Sequence, residues 1–495
     1  MSPFWIVFGA YLIGVLALSE AAARLRVGSL DEYLLSGRRQ GTLATAATLT
    51  ATVIGAGSTL GAAGVAYFVG LSAGWYLLSA APGLVLLAFT FAPAARALTV
   101  YSVPGYLERR YGRTAAALAA VLGLVALALF VSAQLYALAS VLHELGQVSR
   151  GRALVLCAAA VVVYTWRGGN WAIHWSDGLQ LAWLYVGLVA AAVLAVDAAG
   201  GLGALADPPV AAGYEEAGAR WFHPETRRPV GGFDPLALGD TVAAWIVMST
   251  SWHFAMQSTA QRLLAARDAR VARRACLLAA AAIVPLAALV ALSGMAARIL
   301  DPDLGLTAGM EQVSALPVLV REVLDPLVGG VVVAALVAIL MSTCDSALLG
   351  AATLLLKDLL PRLRRGRDAG RSPAERCEAR ADREIRSSRR VVLAVGAAAF
   401  AGAWVAPGLV RTLEMVAAVY GVALFGPLLL GPFWRRASEA GALAAMLTAG
   451  SASLAWRGLG LEDATGLHML NVGLPLSFGA LAAGSLWRPD DAAEV

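Results

Sequence analysis

Val331 to Asp358 reads VVVAALVAILMSTCDSALLGAATLLLKD. It is apolar for long enough to cross a bilayer as a helix, yet Ser342, Thr343, Asp345 and Ser346 sit in its middle. Helical spacing puts Ser342, Asp345, Ser346 and Thr353 on one face. Hydroxyls can back-bond to their own helix, and Asp345 can lie near the cytoplasmic mouth. A carboxylate in hydrocarbon otherwise needs a counter-charge, so the whole face points to an ion or polar path.

The rest of the chain fits that setting. Of 495 residues, 59% are hydrophobic and 14% charged, with a mean hydropathy of +0.70. Soluble domains carry roughly 25% charged residues. The apolar segments run about 17 to 28 residues without alternation, which predicts helical rather than barrel spans. This is an all-α polytopic membrane protein. The net charge of +5 does not indicate nucleic acid, because the basic residues fall between spans. Cys157, Cys276, Cys344 and Cys377 are scattered and form no CxxC, so neither a disulfide frame nor a zinc site is expected. No phosphate-binding glycine loop, HExxH or nucleophile elbow is present, so an enzyme is not expected, nor a cofactor.

Thirteen spans are predicted, near 3–21, 43–68, 73–95, 114–141, 153–166, 178–197, 239–260, 275–297, 328–357, 390–405, 411–433, 440–456 and 470–487. The N-terminus lacks a basic flank, and Arg24 and Arg26 follow the first span, which suits a retained helix with its N-terminus outside. That choice places about 29 of the 38 Lys and Arg on the inside, including the 262–274 group and the 357–390 group. The C-terminus is then cytoplasmic and the membrane is the plasma membrane. The segment 358–389 is expected as a solvated basic loop, with headgroup binding as an alternative. The longest outside loop, near 198–238, is rich in Pro and Gly and is expected to cover the outer mouth.

Two spans are irregular. Span two, from Leu43, gathers Gly55, Gly57, Gly61 and Gly64 with five hydroxyl residues. This is either close helix packing through small residues or a broken helix whose freed carbonyls are open to a cation. Span seven carries Ser249, Thr250, Ser251, Trp252, His253, Gln257 and Ser258 in one run, which is not a lipid-facing pattern. His253 is either a satisfied interior histidine or a pocket residue. Two irregular spans five apart point to an inverted-repeat transporter, with repeats at 43–197 and 239–433, flanked by 1–42 and by two further helices in 434–495.

Several motifs then occur in a recognisable order: Asp31-Glu32-Tyr33-Leu34-Leu35-Ser36-Gly37-Arg38, Ala66-Tyr67-Phe68-Val69-Gly70, and Val103 through Gly112 (VPGYLERRYG). Gly168-Gly169, Trp175 through Gln180 (WSDGLQ), Gln261-Arg262, Met341 through Ser346 (MSTCDS) and Pro432 through Arg436 (PFWRR) follow. With them the chain resembles the sodium/solute symporter family, which includes the sodium/galactose, sodium/proline and sodium/pantothenate symporters. The resemblance implies a LeuT-like, five-plus-five inverted repeat in thirteen helices. It implies Na⁺ as coupling ion, held by the carbonyls of Ala51, Ile54 and Ile339 and the hydroxyls of Ser342 and Thr343. Five oxygens without a full negative charge suit a weakly held monovalent ion. Asp177, Asp345 and Ser346 would form a second sodium site or an exit path, with Asp177 at the cytoplasmic start of span six. The pocket for a small organic solute would draw on Val53, Ser58, Tyr76, Gln134, Trp252, His253 and Gln257, with Trp252 as an aromatic gate. The sugar-transporting members carry polar amides at the places of Val53 and Ser58, and proline symporters an acid at that of Val53, so neither substrate is implied. A proton-coupled carrier using His253 or Asp345, and a membrane sensor signalling through a separate partner, are the alternative functions.

Overall fold

The computed structural model describes residues 3–26, 28–97, 100–206, 233–236, 240–301, 315–360, 373–405 and 409–488. Among the described residues the secondary structure is helical, apart from one isolated backbone bridge between Gln40 and Ala266. Nine helices there are long and apolar enough to cross a membrane. The remaining expected spans appear as the broken segments, as the first half of Arg150–Ala198, and as Glu439–Gly458.

Both irregular spans are broken. Span two runs as Thr42–Val53, leaves helical geometry at Ile54 (φ −87°, ψ 117°), and resumes through a wide turn, Gly57–Gly61, into Ala62–Val69. Span seven runs as Asp240–Ala255, breaks at Met256 (φ −61°, ψ 116°) and continues as Gln257–Ala265. The two lie antiparallel. The entry to span two meets the exit of span seven where Gln40 N–H donates to Ala265 O (3.1 Å) and Arg267 N–H donates to Gln40 O (3.1 Å). Such antiparallel, doubly broken pairs are what an inverted repeat places around a central site.

Span nine is the most enclosed. In its described stretch Val328–Leu359, 94% of the most apolar 18 residues are buried, against 18% in the first span, Trp5–Leu25. This apolar run is therefore the centre of the core, packed against spans four, six and one.

Two boundaries differ from expectation. The helix of span ten begins at Pro373, not near 390; its Ala, Glu and Arg are good helix formers even where hydropathy is low. The first part of the basic loop, 361–372, and most of the outer loop, 207–232, lie outside the described residues. Spans five and six form one run, Arg150–Ala198, kinked at Gly169 (φ 57°, ψ −155°). Span six thus begins near Asn170, and Asp177 lies fully buried about two turns inside it rather than at its mouth.

Gly169 combines a left-handed φ with a close neighbour, since an added Cβ would fall 2.5 Å from the Tyr33 ring. Gly169→Ala should destabilise the folded protein by about 1–3 kcal/mol, read as a lower melting temperature. An unchanged melting temperature would show that the kink does not constrain the fold.

Candidate functional site

The break in span two frees the Ile54 carbonyl. Thr343 of span nine lies against it: its Oγ1 is 2.9 Å from Ile54 O and 2.9 Å from Ile339 O. One hydroxyl proton can satisfy only one of these carbonyls at a time. The three oxygens therefore form an electron-rich cluster that suits a cation. Ala51, Ile54, Ile339, Ser342 and Thr343, the expected sodium set, are all buried. Ser342 Oγ donates to Asp177 Oδ1 at 2.6 Å, which ties span nine to span six directly below the cluster.

The carboxylates meet a residue that sequence reasoning left in a basic loop. Arg262 is fully buried in the second half of span seven. Its Nε donates to Thr52 Oγ1 (3.3 Å), its Nη1 to Asn170 Oδ1 (2.5 Å) and its Nη2 to Ser346 Oγ, while Asp177 Oδ2 stands 3.9 Å from Nη2. One guanidinium thus joins spans two, six, seven and nine. Ser346 also donates to Asp345 Oδ1 at 3.0 Å, and Asp345 Oδ2 is buried with no hydrogen-bond partner. With both acids ionised, two negative charges face one positive charge. The signal for Arg262 was present in its flanks: Leu263 and Leu264 follow it, and an arginine inside an apolar turn is normally exposed only if it can snorkel.

Below this cluster span nine is fastened to the other elements by a ladder. Arg262 meets Ser346, Gln261 Nε2 donates to Thr353 Oγ1 (2.6 Å), and Ser102 Oγ donates to Asp358 Oδ1 (2.8 Å). From Ser346 to Thr353 is two helical turns. The wide turn Leu354–Leu359 then takes an extra residue, so that Asp358 reaches Ser102 while Lys357 lies over the Tyr101 ring, 4.6 Å from its centre.

A cavity of about 90 Å³ opens beside the sodium-type cluster. Val53, Ser58, Tyr76, Gln134, Trp252 and His253 all line it, as does Thr343. Gln257, expected there, does not line it. Its Oε1 accepts from Val103 N–H (2.9 Å) and its Nε2 donates to Tyr101 O (3.2 Å), which makes it part of the closure below. The one-residue break at Met256 rotates the second half of span seven, so the residue one turn beyond His253 leaves the cavity wall. Ser58 uses its hydroxyl within the break, accepting from Gly55 N–H (2.9 Å) and donating to Gly55 O (3.1 Å). Gln134 Oε1 accepts from Ala56 N–H at 3.0 Å. Trp252 stacks at a tilt on Phe130, ring centres 5.2 Å apart. Ser249, from the polar run of span seven, also lines it, with Phe130 and Leu413, which sequence reasoning did not single out; nothing in the local pattern of those two separates them from ordinary core residues.

Comparison with known proteins gives this geometry a family. The model of the Sodium:solute symporter family matches residues 33–449. The chain is similar to the sodium/pantothenate symporter of Escherichia coli (strain K12), 28% identical over 96% of this chain and 95% of that one. It is also similar to a high-affinity proline transporter of Bacillus subtilis (strain 168), 25% identical over 88% and 89% of the two chains. Among solved structures, a substrate-bound, outward-open Na⁺-coupled sialic acid symporter superposes with a TM-score of 0.80 at 19% identity, covering both chains in full. Mhp1, a nucleobase–cation symporter, superposes at 0.55 and 16% identity over 92% of this chain and 94% of its own. An antiparallel pair of broken helices beside a buried oxygen cluster defines a secondary transporter with the LeuT-like inverted-repeat fold. The chain belongs to the sodium:solute symporter family. It is a multi-pass membrane transporter rather than an enzyme, with Na⁺ as coupling ion.

Removing Arg262 alone should leave buried carboxylate unpaired and cost about 3–5 kcal/mol. Arg262→Leu should therefore lower the melting temperature sharply, and Arg262→Leu with Asp177→Asn should recover part of the loss. No recovery in the double variant would show that Asp177 is not its counter-charge.

Proposed function

We propose that this protein imports a small organic solute together with Na⁺ by alternating access, with the ion bound between the break in span two and span nine. The observation that carries the reading is Thr343 Oγ1, shared between the carbonyls of Ile54 and Ile339 with one proton for the two. A sodium ion accepts the converging oxygen lone pairs and takes the carbonyls of Ala51, Ile54 and Ile339 and the hydroxyls of Ser342 and Thr343 as ligands. All five are neutral oxygens, which favour a monovalent ion that can also leave; divalent ions call for carboxylates.

Binding there holds span two to span nine. For the ion to drive transport it must favour the state that accepts solute over the state that does not. The solute enters the cavity beneath Trp252, and the ladder from Ser346 to Asp358 then opens. Sodium leaves past Asp345 and Asp177, which with Ser346 form a second cation site or an exit path. Two buried carboxyl groups, Asp177 and Asp345, near the single guanidinium of Arg262 support a cation on that route. The positive-inside distribution supports an N-terminus outside and a C-terminus in the cytoplasm, in the plasma membrane. A proton at Asp345 is the second reading, favoured by the buried, unpartnered Oδ2.

In proteoliposomes with an imposed sodium gradient, Thr343→Ala and Ser342→Ala should raise the sodium concentration for half-maximal uptake at least tenfold in the folded protein that each variant yields. Unchanged sodium dependence in both variants would remove the site. Uptake driven by a pH gradient without sodium would establish the proton reading.

A further inference from the structure

The cavity wall carries chemistry that bears on the solute itself, and the inference rests on the symporter reading of this same cavity. His253 Nδ1 lies 2.6 Å from the Ser249 carbonyl oxygen. A carbonyl can only accept, so Nδ1 carries the proton and Nε2 of the neutral ring is an acceptor. Among the described residues no protein group is recorded on Nε2, and it is not among the fully enclosed unpartnered atoms; the His253 ring lines the cavity, which leaves Nε2 as its free acceptor there. Gln134 is oriented in the same way. Its Oε1 is taken by Ala56 N–H, which leaves its Nε2 as a donor beside Gly55 and Thr343. The Tyr76 hydroxyl, close to Gly57, serves either role.

The remaining wall is Val53, Phe130, Trp252, Leu413 and neighbours, with no Asp, Glu, Lys or Arg among the described residues that line it. Two charged residues on adjoining segments have partners. Glu414, next to Leu413, takes Arg457 Nη1 at 2.7 Å, and Arg262, next to Thr52, binds Thr52, Asn170 and Ser346. A charged solute entering this wall would give up water and meet no charged side chain there, which costs several kcal/mol; the sodium ion beside Thr343 would repel an amine, and its five ligands already enclose it against a carboxylate. The volume of about 90 Å³ is several times the ~10–15 Å³ that one water needs by the same measure, and so gives room to a compact solute.

We propose that the cavity selects a small uncharged solute of amide or polyol chemistry, which donates a hydrogen bond to His253 Nε2 and accepts one from Gln134 Nε2, and that it rejects carboxylates and amines of the same size. A site built to hydrogen-bond its substrate discriminates strongly against analogues that leave its polar groups unpaired.

The test uses the detergent-purified full chain in NaCl and four isosteric probes: lactamide and glycerol, which are neutral, lactate, an anion, and 1-aminopropan-2-ol, a cation. Stabilisation against heat reports binding to the folded state. Lactamide or glycerol should raise the melting temperature, and the two ions should not. His253→Phe should weaken the neutral probe at least fivefold, and His253→Asn, which keeps a polar group but moves it, should weaken it less. Stabilisation by lactate or by the amine at least as strong as by lactamide would overturn the inference, as would no stabilisation by either neutral probe. Unchanged affinity in both His253 variants would overturn the role of that ring. Neutral-probe binding of equal strength in NaCl and KCl would count against sodium coupling and would still support the neutral-solute inference.

Discussion

The structure depends on one shared hydroxyl. Span two cannot remain helical through Ile54 and Gly55, and the carbonyl it releases is buried. An unpaired carbonyl in a membrane interior costs several kcal/mol. Thr343 meets it, but meets Ile339 as well, and has one proton to offer. Ile339 O also lies in an unbroken helix that supplies its own N–H, so the break is tolerable where span nine stands close enough for the Thr343 hydroxyl to reach Ile54. Glycine at position 55 allows that approach, since an added Cβ would lie 3.2 Å from the Gln134 amide and 3.4 Å from Thr343 Cγ2.

The same contact links the ion to the moving parts. Ser342, adjacent to Thr343, holds Asp177 of span six; Asp177 faces Arg262 of span seven, and Arg262 reaches back to Thr52 of span two. Both broken spans and the most buried span thus share one polar network. A change in charge at any member alters the balance for all, because such networks in low dielectric are strong when complete and costly when partial. The ladder below it, with its extra residue in Leu354–Leu359, is made of single hydrogen bonds, worth about 1 kcal/mol net between neutral groups and about 1.5–3 kcal/mol where a charged group takes part. Contacts of that size can be exchanged between two states, whereas a greasy, close-packed seam could not.

Much of this was legible in the sequence for a physical reason: hydrocarbon penalises polar groups so heavily that each one is a signal. The polar face of Val331–Asp358, the glycine-rich span two and the polar run in span seven were all readable as departures from apolar background, and the structure brings them together. What failed to show was rotation and depth. A single residue of break at Met256 removes Gln257 from the cavity, and periodicity carries no record of such a break. The kink at Gly169 moves the start of span six and buries Asp177. Arg262 was grouped with its basic neighbours because charge counting treats every arginine near a span end alike, while its partners Asn170 and Ser346 lie 92 and 84 residues away. Apolar wall residues such as Phe130 and Leu413 match the general core and carry no mark of their position.

The most direct measurement of the central claim is the melting temperature of the purified parent protein in matched concentrations of sodium and potassium chloride, without solute. A sodium ion shared by the span-two break and span nine binds only the folded state and raises stability as its concentration passes the dissociation constant. The account predicts a sodium-specific, saturable increase. Identical melting curves in the two salts at every concentration would contradict it.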